Sequence, residues 1–310
     1  MNTLGSSREV KVRVPAKVNL QLSVGPVKSD GYHDVVSVFQ AISLFDDVIV
    51  REGGSGISLT VKGSTSSGVP IDNRNLAFAA TQLMIERFSI NPNLEIELYK
   101  EIPVAGGMAG GSADAGAVIV ALDSLFSLGL SRTEMEKIGA ELGSDVPFSI
   151  TGGVAIGTGR GDQLTPALAK GTYHWVLAMS SQGLSTPAVY AECDRLREGL
   201  PIASPQISDG VMQALRAGDP VSLGAALVND LQPAATSLRP ALRLILDLGR
   251  DYGALGSIVS GSGPTVAFLV EDADRALDLI VALSSSGVVG SAVRAFGPVH
   301  GARVIDDYSH

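Results

Sequence analysis

Pro103-Val104-Ala105-Gly106-Gly107-Met108-Ala109-Gly110-Gly111-Ser112-Ala113-Asp114 is the stretch on which the reading of this chain turns. Before it, Leu94, Ile96 and Leu98 alternate with polar residues, which marks a half-buried strand. After it, Val118, Ile119, Leu122, Leu125 and Phe126 recur at helical spacing, which predicts a helix over 112–126. Four glycines at such a junction let backbone amides approach an anion closely. The helix start adds unpaired N–H groups and the positive end of the dipole. The density of glycine favours a phosphate seat over the alternative, a flexible turn with tight helix packing. No Gly-Lys-Ser/Thr follows, so the loop is not a Walker A loop, and the Gly-Gly-x-x-Gly-Gly spacing does not fit the dinucleotide fingerprint.

Outward from the loop, the chain has 310 residues, 45% of them hydrophobic and 18% charged, with a formal net charge of -9. At roughly 100–200 residues per domain, that length gives one large domain or two ordinary ones. Ample apolar content argues against disorder. The single cysteine, Cys193, excludes an internal disulfide framework. The acidic balance argues against broad binding to nucleic acid or anionic lipid, though an anionic small ligand needs only local positive potential. No apolar run approaches the ~18 residues of a membrane span, and Met1–Arg8 lacks the apolar core of a signal peptide. The reading is a soluble, cytoplasmic protein without nucleic-acid, membrane or obligate protein partners.

Alternation also marks strands at Val10–Val14, Leu20–Val24 and Ile57–Val61. A helix carrying Leu76, Ala80, Leu83 and Met84 opens after Asn73-Arg74-Asn75, with Asp72 or Asn73 as its cap. Ser131-Arg132-Thr133-Glu134 is a capping-box sequence, Met135, Ile138 and Leu142 supply an apolar stripe, and Gly143 the stop. The second half shows strands at Trp175–Met179, Ser257–Val259, Thr265–Val270 and Ser291–Ala295. Helical patterns fall around Pro187–Arg197, Val211–Leu215, Leu223–Leu227, Pro240–Asp251 and Ala273–Leu283. Strands and helices come in blocks, which favours α+β over a doubly wound sheet. The expected division is 1–165 and 166–310, with the glycine-rich connection Gly152–Gly161 near the boundary.

Three further segments carry chemistry-bearing residues. Lys17, in Pro15-Ala16-Lys17-Val18-Asn19-Leu20, interrupts two alternating strands. It is either an ordinary exposed lysine at a turn or bulge or a cation near a reacting hydroxyl or phosphate. Asp145, in Gly143-Ser144-Asp145-Val146-Pro147-Phe148, is either a turn aspartate or a carboxylate placed in a loop to accept a hydroxyl proton. Asp30-Gly31-Tyr32-His33 sets two rings in a turn of a chain poor in aromatics; they suit a stacked base and its edge, or a surface turn. His174, His300 and His310 show no metal-ligand spacing.

Together with Ser260-Gly261-Ser262-Gly263-Pro264-Thr265, the lysine segment and the glycine loop resemble the three motifs of the GHMP small-molecule kinases, in order, over roughly residues 10–300. Asp30–His33 and Ser144–Phe148 resemble the branch that acts on a cytidine-diphosphate-linked methylerythritol. The resemblance implies a two-domain α+β GHMP kinase fold: a ribosomal protein S5 domain 2-like N-terminal domain with a left-handed βαβ element, a ferredoxin-like C-terminal domain, and the active site in the interdomain cleft. It implies ATP-dependent phosphorylation of the 2-hydroxyl of that substrate in the non-mevalonate isoprenoid route, with ATP and Mg²⁺ as cofactors. Lys17 and Asp145 match the catalytic pair, and Pro103 to Ala113 the ATP-phosphate loop. Asn75 and Lys100 match positions near the adenine. Asn19, Tyr32, His33, Thr186 and Tyr190 match the substrate side, and Gly261, Ser262 and Gly263 close it from the second domain. Ala113 stands where a second Ser is common, which leaves Ser112 as the loop's hydroxyl. Tyr190 stands where a Phe can occur. The alternatives are a GHMP kinase for another alcohol, such as homoserine or a sugar, and a nucleotide-binding regulator without catalysis.

Overall fold

The computed structural model describes residues 8–180 and 182–305; His310 and most of the polar Met1–Arg8 segment lie outside them. Two sheets organise the chain. The first is built on β1 (Glu9–Val27) and β2 (His33–Glu52), long antiparallel strands paired from Glu9↔Arg51 to Val27↔His33. Beside β2 run β4 (Leu94–Tyr99) and then β3 (Ile57–Lys62), parallel to each other and joined by α1 (Leu76–Phe88), a βαβ unit. The hairpin of β5 (Val154–Thr158) and β6 (Gln163–Pro166) pairs through β5 with the other end of β2. Helices α2 (Gly110–Phe126), α3 (Arg132–Leu142) and α4 (Val146–Thr151) complete this half, with α2 packed on β1 and β2. Eleven of the residues in α2 are buried, because Ala, Gly, Val, Ile and Leu surround it on nearly every side.

The second sheet is wholly antiparallel. It runs β11 (Ser291–Gly297), β7 (Tyr173–Met179), β10 (Val266–Val270), β9 (Gly256–Val259). This strand order, with the first strand between the fourth and the third, is the ferredoxin-like arrangement. Around it lie α5 (Thr186–Leu196), α6 (Asp209–Ala217), α7 (Pro220–Ala226), α8 (Gln232–Leu238), α9 (Ala241–Asp251) and α10 (Ala273–Ser285). Two short strands cross back: β8 (Val228–Asn229) and β12 (Arg303–Val304) both pair with β1 in the first sheet. Contacts across the 165/166 division are extensive. Trp175 Nε1 donates to Gln40 Oε1 at 2.8 Å, and one apolar core holds Val12, Ile42 and Leu122 together with Trp175, Leu177 and Leu269.

The structure departs from the sequence reading in several places, each with a physical cause. Lys17 does not lie in a turn. β1 runs through it, and register shifts at Pro15/Ala16 and Asn19/Gln21 absorb the break in alternation. β2 escapes the alternation test because it is buried on both faces from Val35 to Ile42. The cap of α1 is Asn75, whose Oδ1 accepts the Ala77 N–H at 2.8 Å; Asp72 is taken by Arg74 instead. Asp145 sits at the start of a short helix rather than in an open loop. The Gly152–Gly161 connection is a hairpin. Gly157 is there for space, since a Cβ would stand 2.5 Å from the Phe39 ring, while Gly153, Gly159 and Gly161 take positive φ. The capping box is formed as read, with the Ser131 hydroxyl accepting the Glu134 N–H and Glu134 accepting the Ser131 N–H.

Candidate active site

The cleft between the halves has a volume of about 1220 Å³ and is lined from both. Its floor comes from β1. Lys17 is only 6% exposed, and its ammonium donates to Asn19 Oδ1 at 2.7 Å and lies 5.5 Å from the centre of the Phe39 ring. Asn19 Nδ2 donates to Ser37 Oγ at 2.7 Å, and Ser37 Oγ donates to the Gln21 carbonyl at 2.8 Å. This chain of bonds fixes the ammonium in one place. Burial pushes Lys17 below the ordinary lysine range, and the negative charge of Asp145 opposes that shift. Asp145 makes no capping bond to the amides of α4, so its carboxylate is left for the cleft, which it lines beside Ser144.

The glycine loop forms one wall. Val104, Ala105, Gly106, Gly107, Ala109, Gly110, Gly111 and Ser112 line the cleft. Pro103, Met108 and Ala113 do not: Met108 and Ala113 are core residues. Gly107 adopts φ +76°, and a Cβ there would stand 2.0 Å from the Ser260 carbonyl oxygen. That contact belongs to a seam between the halves, in which Ser260 Oγ donates to the Gly107 carbonyl at 2.9 Å and the Thr265 N–H to the Gly106 carbonyl at 3.3 Å. Gly261, at φ +55°, brings its backbone against the catalytic floor; a Cβ would meet Lys17 Nζ at 3.4 Å and Asn19 Oδ1 at 3.5 Å. Asn229 holds this turn by donating to the Val259 and Gly261 carbonyls, both at 2.7 Å. Gly261 and Ser262 line the cleft. Gly263 sits behind them, its Cβ position 2.8 Å from Val259.

At the far end lie the rings. His33 and Tyr190 are tilted at 34° with centroids 5.2 Å apart. His33 Nε2 is 2.9 Å from Asp194 Oδ1. A carboxylate only accepts, so Nε2 carries the hydrogen and Nδ1 is left for a ligand. Burial, then the charge of Asp145, pushes the Tyr190 hydroxyl up to about 12. Thr186 and Ser262 share a hydrogen bond of 2.8 Å. Tyr32 is 54% exposed, and the Arg160 guanidinium lies 3.7 Å over its ring.

Two residues that the resemblance sets near the adenine, Asn75 and Lys100, spend their side chains within the fold. Asn75 is buried and spends its side chain on the α1 cap and on the Pro70 carbonyl. Lys100 is fully enclosed beneath the glycine loop, where it pairs with Asp46 and Asp114. Neither lines the cleft. Conversely, Ser37, Phe39, Arg160 and Asp194 line it without having stood out in the sequence. Only Asp194 had a local signal, being four residues from Tyr190 on the helix that carries Thr186.

The arrangement supplies an anion wall of backbone, a cation and a carboxylate on the floor, and an aromatic end for a flat ring. It accords with what the chain is similar to. The family model described as GHMP kinases N terminal domain matches residues 75–153, and that described as GHMP kinases C terminal matches 211–289. The 4-diphosphocytidyl-2-C-methyl-D-erythritol kinase of Mycolicibacterium smegmatis is 52% identical over 298 residues, covering 96% of this chain and 92% of that one. The kinase of the same name from Thermobifida fusca is 50% identical, with 97% and 100% covered. A crystal structure of 4-(cytidine 5'-diphospho)-2C-methyl-D-erythritol kinase superposes with a TM-score of 0.73 at 30% identity, covering 92% of this chain and 98% of that one. A homoserine kinase from Cytophaga hutchinsonii, at 19% identity and TM-score 0.75 with 98% and 100% covered, shares the fold.

Proposed function

The chain belongs to the GHMP kinases, in the 4-diphosphocytidyl-2-C-methyl-D-erythritol kinase family, and on that premise we propose how its cleft transfers a phosphoryl group from ATP to the 2-hydroxyl of that substrate, a step of the non-mevalonate route to isoprenoids. The observation that carries the reading is the lining of one cleft by Lys17, Asp145, the glycine loop and the Tyr32–His33–Tyr190 cluster together.

ATP lays its phosphates along Gly106–Ser112, where amides and the start of α2 meet the charge. The cytosine stacks on Tyr32 and Tyr190, with His33 Nδ1 at its edge. Thr186, Ser262 and Asn19 surround the diphosphate and the polyol. Asp145 then accepts the proton of the 2-hydroxyl as its oxygen attacks the γ-phosphorus. The new O–P bond forms as the bond to the β-phosphate oxygen breaks, and ADP leaves with that electron pair. Lys17 lies beside the reacting oxygens and offsets their developing charge. Such transfer depends on placement and charge stabilisation more than on covalent chemistry.

Mg²⁺ suits the same wall, since Ser112 offers a hard oxygen donor on the loop where the phosphates would lie. When bound, it would neutralise charge on the β- and γ-phosphates. No helix among the described residues is long and apolar enough to cross a membrane.

The test is an ADP-release assay with 4-diphosphocytidyl-2-C-methyl-D-erythritol, homoserine and mevalonate in parallel. Turnover with the first, inhibited by CDP or CMP, is expected. Faster turnover of homoserine or mevalonate, or indifference to the cytidine nucleotides, would refute the substrate assignment.

A further inference from the structure

Beneath the phosphate wall lies charge that the cleft never meets. The Lys100 ammonium, fully enclosed at the end of β4, donates to three oxygens. These are a carboxylate oxygen of Asp46, Asp114 Oδ2 at 2.7 Å and the Gly110 carbonyl at 3.2 Å. Asp46 comes from β2, while Gly110 and Asp114 are the first and fifth residues of α2. Asp46 also accepts the backbone N–H groups of Glu101 at 2.6 Å and Ile102 at 2.9 Å. Those two residues lead into Pro103. Strand, loop entry and loop exit thus converge on one ammonium.

This is more than core electrostatics, because Gly110 has two roles. It lines the cleft, and its carbonyl is tied down from beneath. The space around it is full: a Cβ on Gly110 would stand 3.1 Å from Ile102 Cγ2 and 3.3 Å from Lys100 Nζ. The glycines on the cleft side carry no side chains with which to hold themselves in place. Their stiffness must come from below, and charge-assisted bonds in an enclosed, low-dielectric site are the strong kind.

We propose that Lys100 is the positioning residue of the phosphate wall: by binding Asp46, Asp114 and the Gly110 carbonyl together, it sets the distance between the loop entry and the start of α2, and so the spacing of the amides that receive the ATP phosphates. The proposal rests on the reading of 106–112 as the phosphate seat. Lys100 itself touches no ligand.

The decisive variant is Lys100→Met/Asp114→Asn, which removes one cation and one anion together and leaves Asp46 its two backbone donors. The KM for ATP is expected to rise tenfold or more, with the KM for the cytidine substrate within twofold. Amide hydrogen exchange over 106–112 should speed up at least tenfold. An unchanged ATP KM and unchanged exchange in the folded variant would overturn the proposal. So would a uniform loss in which kcat and both KM values move together, because that is general destabilisation. If the double variant does not fold, Asp46→Asn cuts Lys100 from β2 alone; a threefold or greater rise in the ATP KM is expected, and none would overturn the proposal. Gly111→Glu separates this failure from that of the seat itself. Its nearest neighbour, Leu76 Cδ1, is 3.8 Å away, so the change adds a carboxylate without a clash. If it leaves the ATP KM unaltered, the phosphate seat is wrong. If it raises that KM while the Lys100 variants do not, only the positioning role fails.

Discussion

At one end of the cleft, bare backbone from Gly106 to Ser112 lies over the enclosed Lys100–Asp46–Asp114 cluster. At the other, Tyr32 stands largely in solvent with a half-exposed arginine across its face. In the proposed mechanism the phosphate end is held by groups that lie outside the cleft, and the nucleoside end by groups that line it. A triphosphate presents diffuse charge, which many amides can share if they are fixed beforehand. A base presents a flat face and an edge, and matching both takes rings, a hydrogen-bonding nitrogen and some freedom to close over them. The first end therefore owes its precision to buried electrostatics. The second presents side chains that line the cleft and reach into solvent.

Between the two ends lies the chemistry, and the largest expected effect is there. Asp145→Asn keeps the shape of the α4 start but cannot accept a proton. We expect kcat to fall by about 10²–10⁴-fold with both KM values little changed. Stopped-flow or coupled ADP assays under saturation would read this, and near-normal turnover would remove Asp145 from its role.

The next effect concerns the phosphate end alone. Burial, with the charge of Asp46 adding to it, raises the Asp114 carboxyl from its ordinary 3.8 to about 7, even though Lys100 pulls it down. Asp46 is likewise raised, chiefly by burial. In the case of Lys100, burial lowers it, but its two partners hold it above the ordinary lysine range. A carboxyl whose folded pKa is raised holds more protons in the folded state between those two values. Stability contributed there is present at low pH and declines as pH rises through about 7. Denaturation curves at about pH 5 and pH 8 should differ by on the order of 2 kcal/mol, the acid side being the more stable, and Asp114→Asn should remove most of that difference. An Asp114→Asn protein with the same pH dependence as its parent would show that the cluster titrates elsewhere.

The smallest effect sharpens the contrast from the nucleoside side. Tyr32→Ala removes one stacking face, worth about 1–3 kcal/mol for a base on an aromatic ring. The cytidine-substrate KM should rise roughly tenfold, in line with that energy, while the ATP KM stays put. If the ATP KM rises instead, the two ends have been assigned the wrong way round.

Much of this was legible in the sequence where the signal is local. Gly106–Gly111 announces itself by density at a strand–helix junction, and Ser131/Glu134 by a spacing that fits one cap geometry. Signals that depend on a distant partner were lost. Lys100 ends a strand, and whether its side chain turns to the cleft or to the core depends on Asp46, 54 residues away. Arg160 reaches Tyr32 and Asp30 only because β5 pairs with β2, and Asp30 lies 130 residues off. The cap of α1 reads as Asp72 or Asn73 until Ala77 is seen to donate to Asn75. The C-terminal fold was clearer than its docking, since short apolar runs mark β7, β9, β10 and β11, while nothing in the run around Arg303 marks a strand that belongs to the other half.

That last strand bears on how the protein is made. Val12 pairs with Val304 and Arg13 with Arg303, so the outer edge of β1 is closed by residues the ribosome adds some 290 positions later. While the nascent chain grows, the N-terminal half has an open strand edge, the kind of template on which chains pair wrongly. β8 covers Gln21 and Leu22 earlier, but Val12 and Arg13 gain their cover only when Arg303 and Val304 have emerged. A copy halted by a premature stop anywhere before Arg303 keeps that stretch of the edge bare. The two halves thus share a late assembly step, in which β12, made after both sheets' other strands, closes part of the sheet that holds Lys17.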